Sequence, residues 1–220
     1  MKKLVPALGF LLLAGCATSK PQNVVFLGSG IELQSMPGSP SMKAWSSRPG
    51  ALGDYHAFLF DPVVVILGKT DPLKPVSGQE MKDLGSHVRD VFIGELTRGG
   101  YSVVDVPGAG VLRVRAALTE LVPVDPAKNA AAKVVGAVLP GGIFLPTVDI
   151  GQAAIEVDMR DSVTNARVAA FADRKAGRAY FNGLRPYRRW GDVEAAFAGW
   201  ASEFRMRLDA IHGPPQKVGK

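Results

Sequence analysis

Few residues in this chain have the type and spacing that catalysis or metal binding requires. Gly68-Lys69-Thr70 follows an apolar run and looks like the end of a phosphate-binding loop, but Val63 stands where that motif needs its first glycine. No G-x-S-x-G motif is present to activate a serine. No two of the three histidines share metal-ligand spacing: His56, His87 and His212. We therefore expect no catalytic residue, no metal ligand and no cofactor.

Three carboxylates lie close together in the sequence, at Glu156, Asp158 and Asp161. The alternation around them places them on the solvent face and the turn of a pair of strands. A hydrolytic site assembled from dispersed Asp, Glu and His side chains stays open as an alternative, because such sites are recognised by geometry. A cleft with two convergent carboxylates, or with one carboxylate beside His56 or His87, would favour that alternative.

The stretch from residue 178 to 190, RAYFNGLRPYRRW, interleaves arginines with aromatic residues. Its guanidinium groups and rings could bind an anionic polymer or lipid headgroup, and the candidates are Arg185, Arg188, Arg189 and Trp190. In the other interpretation, the aromatic side chains pack under the last helix while the arginines stay solvated. The second interpretation is favoured, because aromatic side chains usually bury large apolar areas.

The only cysteine, Cys16, follows a segment typical of a secretory signal: Lys2 and Lys3, an apolar run over residues 4–13, and two small residues. This run is too short to span a bilayer, which takes about 20 apolar residues. Leu13-Ala14-Gly15-Cys16 resembles the bacterial lipobox. The resemblance implies cleavage before Cys16, a thioether from its sulfur to diacylglycerol, and acylation of the new amino group by a fatty acid such as palmitate.

The implied lipid anchor predicts where the protein acts. Two or three fatty chains hold a protein firmly, because stable anchoring takes two such signals. By resemblance to Gram-negative lipoproteins, Ala17 after the cysteine favours the outer membrane, with the protein facing the periplasm. The expected partners are the membrane itself and an envelope protein or peptidoglycan. Nucleic acid is not expected, since without Lys2 and Lys3 the 26 Lys and Arg against 20 Asp and Glu leave a formal charge of only +4.

The chain divides into four predicted segments. Residues 1–15 are the cleaved lipoprotein signal peptide, and residues 16–53, broken by four prolines, form a flexible lipid-anchored tether. Residues 54–213 form a single domain, and residues 214–220 form a disordered tail. Within the domain, residues 130–146 are apolar and rich in glycine. That segment is either an exposed contact surface or a loop that caps the core.

Hydrophobic periodicity predicts two helices, over residues 77–98 and 193–211. Ser77 and Glu80 have capping-box spacing at the start of the first helix. Strands are predicted over residues 55–67, bent at Asp61-Pro62, and over 101–106, 111–122, 153–160 and 167–173. Together these elements predict an α+β two-layer domain, with a mostly antiparallel sheet of four to five strands and both helices on one face.

Four stretches resemble one family of bacterial lipoproteins: Tyr55 with Asp61-Pro62-Val63, PGAGVLRVRAALT over 107–119, IEVDMRDSVT over 155–164, and WGDVEAAFAGWA over 190–201. The family is the one filed under domain of unknown function 3313. The resemblance covers nearly all of the chain after the tether, and it implies no established activity. Asn165-Ala166 replaces an expected Gly-Glu pair, and we expect the turn to survive, because Asn tolerates a left-handed backbone conformation.

The sequence thus predicts a lipid-anchored cell-envelope lipoprotein that is not an enzyme. It would act as a binding or assembly-accessory protein and contact its partner through a sheet edge or through the apolar segment. The alternative is a periplasmic hydrolase acting on an envelope polymer.

Overall fold

The computed structural model describes residues 24–67, 75–125, 151–176 and 188–213. Several sequence predictions fall outside these residues: the anchor at Cys16, the stretch from Gly68 to Thr70, the apolar segment 130–146, Arg185, and the tail 214–220.

The described residues contain eight strands, all in one sheet. The strands are β1 Gln34–Met36, β2 Ser39–Ser46, β3 Ala57–Phe60, β4 Val64–Val65, β5 Ser102–Val103, β6 Val111–Val122, β7 Gln152–Asp161 and β8 Arg167–Ala176. Their order across the sheet is β1-β2-β8-β7-β6-β3-β5, and β4 pairs with β6 beyond the end of β3. The same residues form two long helices, α1 Gly78–Arg98 and α2 Gly191–His212, and a short 3₁₀ helix, Ala51–Asp54.

The α+β class is confirmed, but the sheet is larger than the predicted four to five strands and is not purely antiparallel. The neighbouring strands from β1 to β6 pair antiparallel. By contrast, β3 and β4 pair parallel to β6, and β5 pairs parallel to β3. The parallel part arises because the chain crosses from β4 through α1 before it returns to the sheet, and such a crossover brings the next strand back in the same direction.

The predicted tether does not extend to residue 53, because β1 and β2 belong to the sheet. Residues 43–46 of β2 pair with β8, with Lys43 opposite Ala172. The prolines that concealed these strands lie where a sheet tolerates them. Pro37 lies in the turn between the two strands, and Pro40 lies in the irregular part of their pairing.

The first helix begins as its sequence predicts. The backbone N–H of Glu80 donates to the Ser77 hydroxyl at 3.2 Å, and the Ser77 N–H donates to the Glu80 carboxylate at 2.9 Å, which completes the capping box. The face of α1 that packs on the sheet buries Leu84, Gly85, Val88, Phe92 and Leu96. The capping box therefore fixes where α1 starts, and its apolar residues determine which face packs on the sheet.

The predicted bend and the predicted hairpin are both confirmed. β3 and β4 are separated by residues 61–63, where Pro62 lies. At the β7–β8 turn, Asn165 adopts a left-handed conformation with φ of 60°. The Asp161 carboxylate accepts the N–H groups of Val163 and Thr164 and the Thr164 hydroxyl, and these bonds close the turn.

The main core lies between one face of the sheet and the two helices. Trp200, Phe58 and Phe197 are among its largest fully buried side chains. The indole N–H of Trp200 donates to buried Asp173 on β8 at 2.8 Å, so the centre of α2 is fixed to the sheet by a polar contact within the apolar layer.

Replacing Ser77 with Ala should lower the free energy of unfolding by about 1 kcal/mol, because the helix loses its N-cap hydrogen bond. Urea denaturation followed by circular dichroism measures the change. The matched control is Ser86→Ala at an exposed position within the same helix. There we expect no loss of stability, since Ala is the better helix former. An unchanged unfolding free energy for Ser77→Ala would contradict the assigned cap.

Candidate functional site

The sheet is covered on both sides along β8. On the face opposite the helices, which we call the back face, Leu27 is buried against Ala170 and Ala172. Val24, Phe26, Ile31 and Leu33 pack against this small apolar cluster. The segment 24–33 therefore covers a face that the sequence analysis took to be open to solvent.

A buried carboxylate holds this segment against the back face. Glu156, on β7, is only 1 % exposed. It accepts the backbone N–H groups of three successive residues: Val25 at 2.9 Å, Phe26 at 2.8 Å and Leu27 at 2.9 Å. Carboxylates that accept backbone N–H donors form some of the stronger hydrogen bonds in proteins. We call this contact between Glu156 and residues 25–27 the N-terminal latch.

A second buried carboxylate, Asp158, lies two residues further along β7 and is 3 % exposed. It accepts from Arg160 Nε at 2.8 Å and from Arg167 Nε at 2.7 Å, with Arg115 at 3.5 Å. Arg167 also donates to the carbonyl oxygen of Leu27 at 3.2 Å. The chain at Leu27 is thus held by its N–H through Glu156 and by its carbonyl through Arg167.

Burial by itself would raise the pKa of Asp158. The hydrogen bonds from Arg167 and Arg160 outweigh that effect, and the pKa of this carboxyl lies below its ordinary value. Asp158 is therefore an ionised partner for the arginines and is not poised to donate a proton near neutral pH.

The arginine network continues towards β3. Arg113 Nε donates to both carboxylate oxygens of Asp61, at 2.9 and 3.0 Å. The Arg115 guanidinium lies over the ring of Phe26, 5.6 Å from its centre, a distance at which a cation is attracted to an aromatic face. Arg115 thereby adds one more contact between the sheet and the N-terminal segment.

The prediction that Glu156 and Asp158 lie on a solvent face is wrong, because both are buried. Glu156 accepts backbone N–H groups and Asp158 accepts guanidinium groups, so this arrangement holds the N-terminal segment against the sheet. One sequence signal could have indicated the covered face: the run Val168-Ala169-Ala170-Phe171-Ala172 is apolar at every position. A strand whose side chains are apolar on both of its faces is typical of a sheet that is buried on both faces.

The described part of the arginine and aromatic stretch lies at the start of α2. Arg188 pairs with Glu194 at 3.0 Å, and Arg189 Nε donates to Glu80 at 2.8 Å. The indole N–H of Trp190 donates to the same Glu80 oxygen at 3.1 Å, and the Arg189 guanidinium lies 5.3 Å from the Trp190 ring centre. Binding of an anionic surface by these residues stays a prediction, and such a surface would compete with the two glutamates.

His56 lies just before β3, His87 lies on α1, and His212 is the last residue of α2. His87 is exposed on α1, and its ring lies 6.0 Å from that of Phe197. His56 and His212 are neighbours, with ring centres 4.6 Å apart. Burial, and then the proximity of His56, lower the pKa of His212. Among the described residues, no group of three or more His, Cys, Asp or Glu side chains has the arrangement of a metal site.

An open groove of about 860 Å³ lies beside the C-terminal half of α2. Its floor is formed by β7 and β8, one wall by the β1–β2 hairpin and the 3₁₀ helix, and the other wall by α2. Apolar side chains dominate the lining, among them Met36, Met42, Leu52, Phe171, Phe204 and Ile211. Neither Glu156 nor Asp158 lines this groove.

The family of the chain follows from a match over residues 26–204 to the family described as "Protein of unknown function (DUF3313)". The chain belongs to this family. The match includes the latch residues Phe26, Leu27 and Glu156 and all four stretches quoted from the sequence. No curated protein sequence matches the chain. No helix within the four described ranges is long and apolar enough to cross a bilayer.

Several solved structures are similar to this family member at a low level. A PelC dodecamer structure from Paraburkholderia phytofirmans is 12 % identical, covers 80 % of this chain and 98 % of its own, and has a TM-score of 0.42. A DUF4136 family protein from Bacteroides thetaiotaomicron is 10 % identical, with coverages of 79 % and 97 % and a TM-score of 0.39. A minor lipoprotein from Acinetobacter baumannii is 8 % identical, with coverages of 71 % and 94 % and a TM-score of 0.34. Similarity at this level carries no argument about partner or activity.

Replacing Glu156 with Gln should lower the free energy of unfolding by about 2–3 kcal/mol, because an amide NH₂ then faces a backbone N–H and a charge-assisted bond is lost. Urea denaturation measures the effect. The matched control is Glu120→Gln, since the carboxylate of Glu120 pairs with Arg174 at a partly exposed position. The control should cost less than about 1 kcal/mol, as exposed ion pairs contribute little. Equal effects of the two changes would contradict the latch.

Glu80 should make folding sensitive to acid. Its pKa is lowered from 4.5 to about 2, chiefly because the Ser77 N–H donates to it, while burial opposes the shift and Arg189 and Trp190 add to it. The carboxylate therefore stabilises the folded state above its unfolded pKa, and this contribution is lost as the pH falls from about 4.5 to about 2.

In urea denaturation, Glu80→Gln should be less stable than the parent at pH 7, and the difference should shrink over that acid range. Asp90→Asn, at an exposed position on the same helix, reports the effect of removing a surface charge. A difference between Glu80→Gln and the parent that stays constant down to pH 2.5 would contradict the assignment.

Proposed function

We propose that this protein is a lipid-anchored, non-enzymatic component of the bacterial cell envelope, held at the outer membrane through Cys16 and facing the periplasm. The observation that carries the proposal is the N-terminal latch. Val25, the first residue that Glu156 holds, lies nine residues after Cys16 in the sequence. Nine residues span at most about 30 Å even when fully extended. A lipid on Cys16 would therefore keep the back face of the sheet within about 30 Å of the bilayer surface.

Because of the latch, the N-terminal segment is not a flexible tether along its whole predicted length. A flexible tether that reached to residue 53 would let the domain sample a wide volume above the membrane. Since residues 25–27 are bonded to β7, any displacement of the anchor acts on the centre of the sheet. The fixed point lies next to the arginine network around Asp158, so the back face would be the side of the domain nearest the attachment.

A binding or assembly-accessory role is supported by what the buried acids do. Glu156 and Asp158 are the most buried carboxylates of β7; Glu156 holds residues 25–27 directly, and Asp158 holds Arg167, which bonds to Leu27. The described edge strands, β1, β4 and β5, have three, two and two residues. Strands this short offer few free backbone groups for an added strand, so a protein or peptidoglycan partner would be held by side-chain surfaces, with the apolar segment 130–146 as one candidate.

The alternative function, a periplasmic hydrolase, receives no support from the described residues. The two neighbouring carboxylates that could have formed its site are separated from the groove and engaged elsewhere. His56 lies beside another histidine, and His87 lies beside an aromatic ring. Neither histidine belongs to the polar contacts of Glu156 or Asp158.

The proposal predicts the chemical state of the mature N-terminus. Intact-mass and peptide analysis of protein purified from cell membranes should find Cys16 as the first residue, carrying the mass of diacylglycerol and an acyl chain. In the matched variant Cys16→Ser, cleavage before residue 16 and the lipid mass should both be lost, because serine provides no thioether sulfur. A native N-terminus at another residue, or a Cys16 without lipid mass, would refute the anchor.

A further inference from the structure

The groove beside α2 follows from the width of the sheet. Seven strands lie side by side from β1 to β5. At about 4.8 Å between neighbours the strands span roughly 29 Å. Two packed helices, each about 10 Å across, cover only some 20 Å of such a sheet. α1 packs against β4 and β5 and α2 against β7 and β8, so β2 and β1 extend past α2 and the groove lies beside it.

The lining of the groove combines an apolar surface with one guanidinium group of unusual hydrogen bonding. Arg207, on α2, lines the groove and is about one-third exposed. It donates to the sulfur of Met42 at 3.0 Å and to the hydroxyl of Ser39 at 3.2 Å. A thioether is a weak acceptor, and a hydroxyl carries no charge. These donors would bond more strongly to an anionic oxygen.

One carboxylate lies close to Arg207. Glu203 forms an ion pair with it at 3.8 Å, a distance too long for a hydrogen bond, and the Glu203 oxygen that faces Arg207 accepts no hydrogen bond from the described residues. The other oxygen of Glu203 is bonded to Lys175. Arg48, at the far side of the groove, is paired with Asp54. The hydrogen bonds of Arg207 therefore go to neutral acceptors, while Glu203 balances part of its charge from 3.8 Å.

We infer that the groove binds an amphiphile with one long acyl chain and an anionic head, with the chain against the apolar lining and the head on Arg207. The volume of about 860 Å³ lies within the range of about 300–1,000 Å³ typical of small-molecule sites. The sequence after α2, Pro214-Pro215-Gln216-Lys217-Val218-Gly219-Lys220, is polar and basic, so its chemistry does not match the groove. The inference is independent of the anchor at Cys16, although a protein held near a bilayer would meet such amphiphiles there.

Native mass spectrometry of the full chain, released from a non-ionic sugar detergent, tests the inference with palmitate as the probe. Hexadecanol has the same chain length and a neutral head, and it tests the requirement for charge. We expect one palmitate per chain and at least tenfold weaker binding of hexadecanol. The adduct should dissociate on collisional activation, which distinguishes it from a covalent acyl chain at Cys16. Failure of the anchor would therefore leave this test unaffected.

Two pairs of variants locate the site. Ala210→Trp fills the groove from an exposed position of α2, and Ala198→Trp places the same side chain at an exposed position of α2 outside the groove. Only the first should abolish palmitate binding. Arg207→Gln should weaken palmitate binding by about tenfold and leave hexadecanol binding unchanged, because only the charged head loses a charge-assisted bond. Arg98→Gln, at an exposed position outside the groove, should change neither.

The inference fails if the parent shows no palmitate adduct, if the two Trp variants bind palmitate equally, or if Arg207→Gln binds palmitate as tightly as the parent. Equal binding of palmitate and hexadecanol would also overturn it. A dimer that is lost only in Ala210→Trp, without a palmitate adduct in the parent, would show that a second copy of the chain occupies the groove. Lower stability of Ala210→Trp, again without an adduct in the parent, would show that another segment of the same chain occupies it.

Discussion

The structure depends on the carboxylate of Glu156, which is placed where water cannot reach it. A buried acid without donors would cost several kcal/mol, so this position is tolerable only if amide groups meet it. Residues 25–27 supply three of them. The same bonds bring Phe26 and Leu27 onto the back face, where they cover the alanines of β8 and meet Arg115 and Arg167. The N-terminal segment is thereby part of the domain and not an appendage.

The width of the sheet explains the groove beside α2. The N-terminal segment adds β1 and β2 to the edge beyond β8, while the chain provides only two long helices in its described residues. A sheet wider than its helix layer leaves part of its surface without a helix above it, and here that part borders the groove. The latch and the groove thus have a common origin in residues 24–46. These residues cover the back face, and they widen the sheet on the other face past the reach of α2.

Features that depend on neighbouring residues could be predicted from the sequence. The covering of the back face by a segment distant in the sequence could not. The start of α1 followed from Ser77 and Glu80, and β6 has the predicted bounds, because caps and alternation are properties of neighbouring residues. The alternation of β7 correctly separated Ile155, Val157 and Met159 from the acids. It could not show that the acid face is covered by a segment about 130 residues earlier, since Val25 and Glu156 are 131 positions apart. The prolines of residues 37–49 led to the prediction of a flexible segment where β1 and β2 lie. A proline disrupts a strand only where its backbone nitrogen would have to donate a hydrogen bond, and the sequence does not show which backbone groups are paired.

Amide hydrogen exchange of the native protein tests the latch most directly. The N–H groups of Val25, Phe26 and Leu27 should exchange as slowly as those at the centre of β7, because opening them means separating the segment from a buried carboxylate. Their neighbours in the exposed turn at residues 28–30 should exchange much faster. Exchange of residues 25–27 at the rate of an unstructured peptide would show that the N-terminal segment is not bound to Glu156.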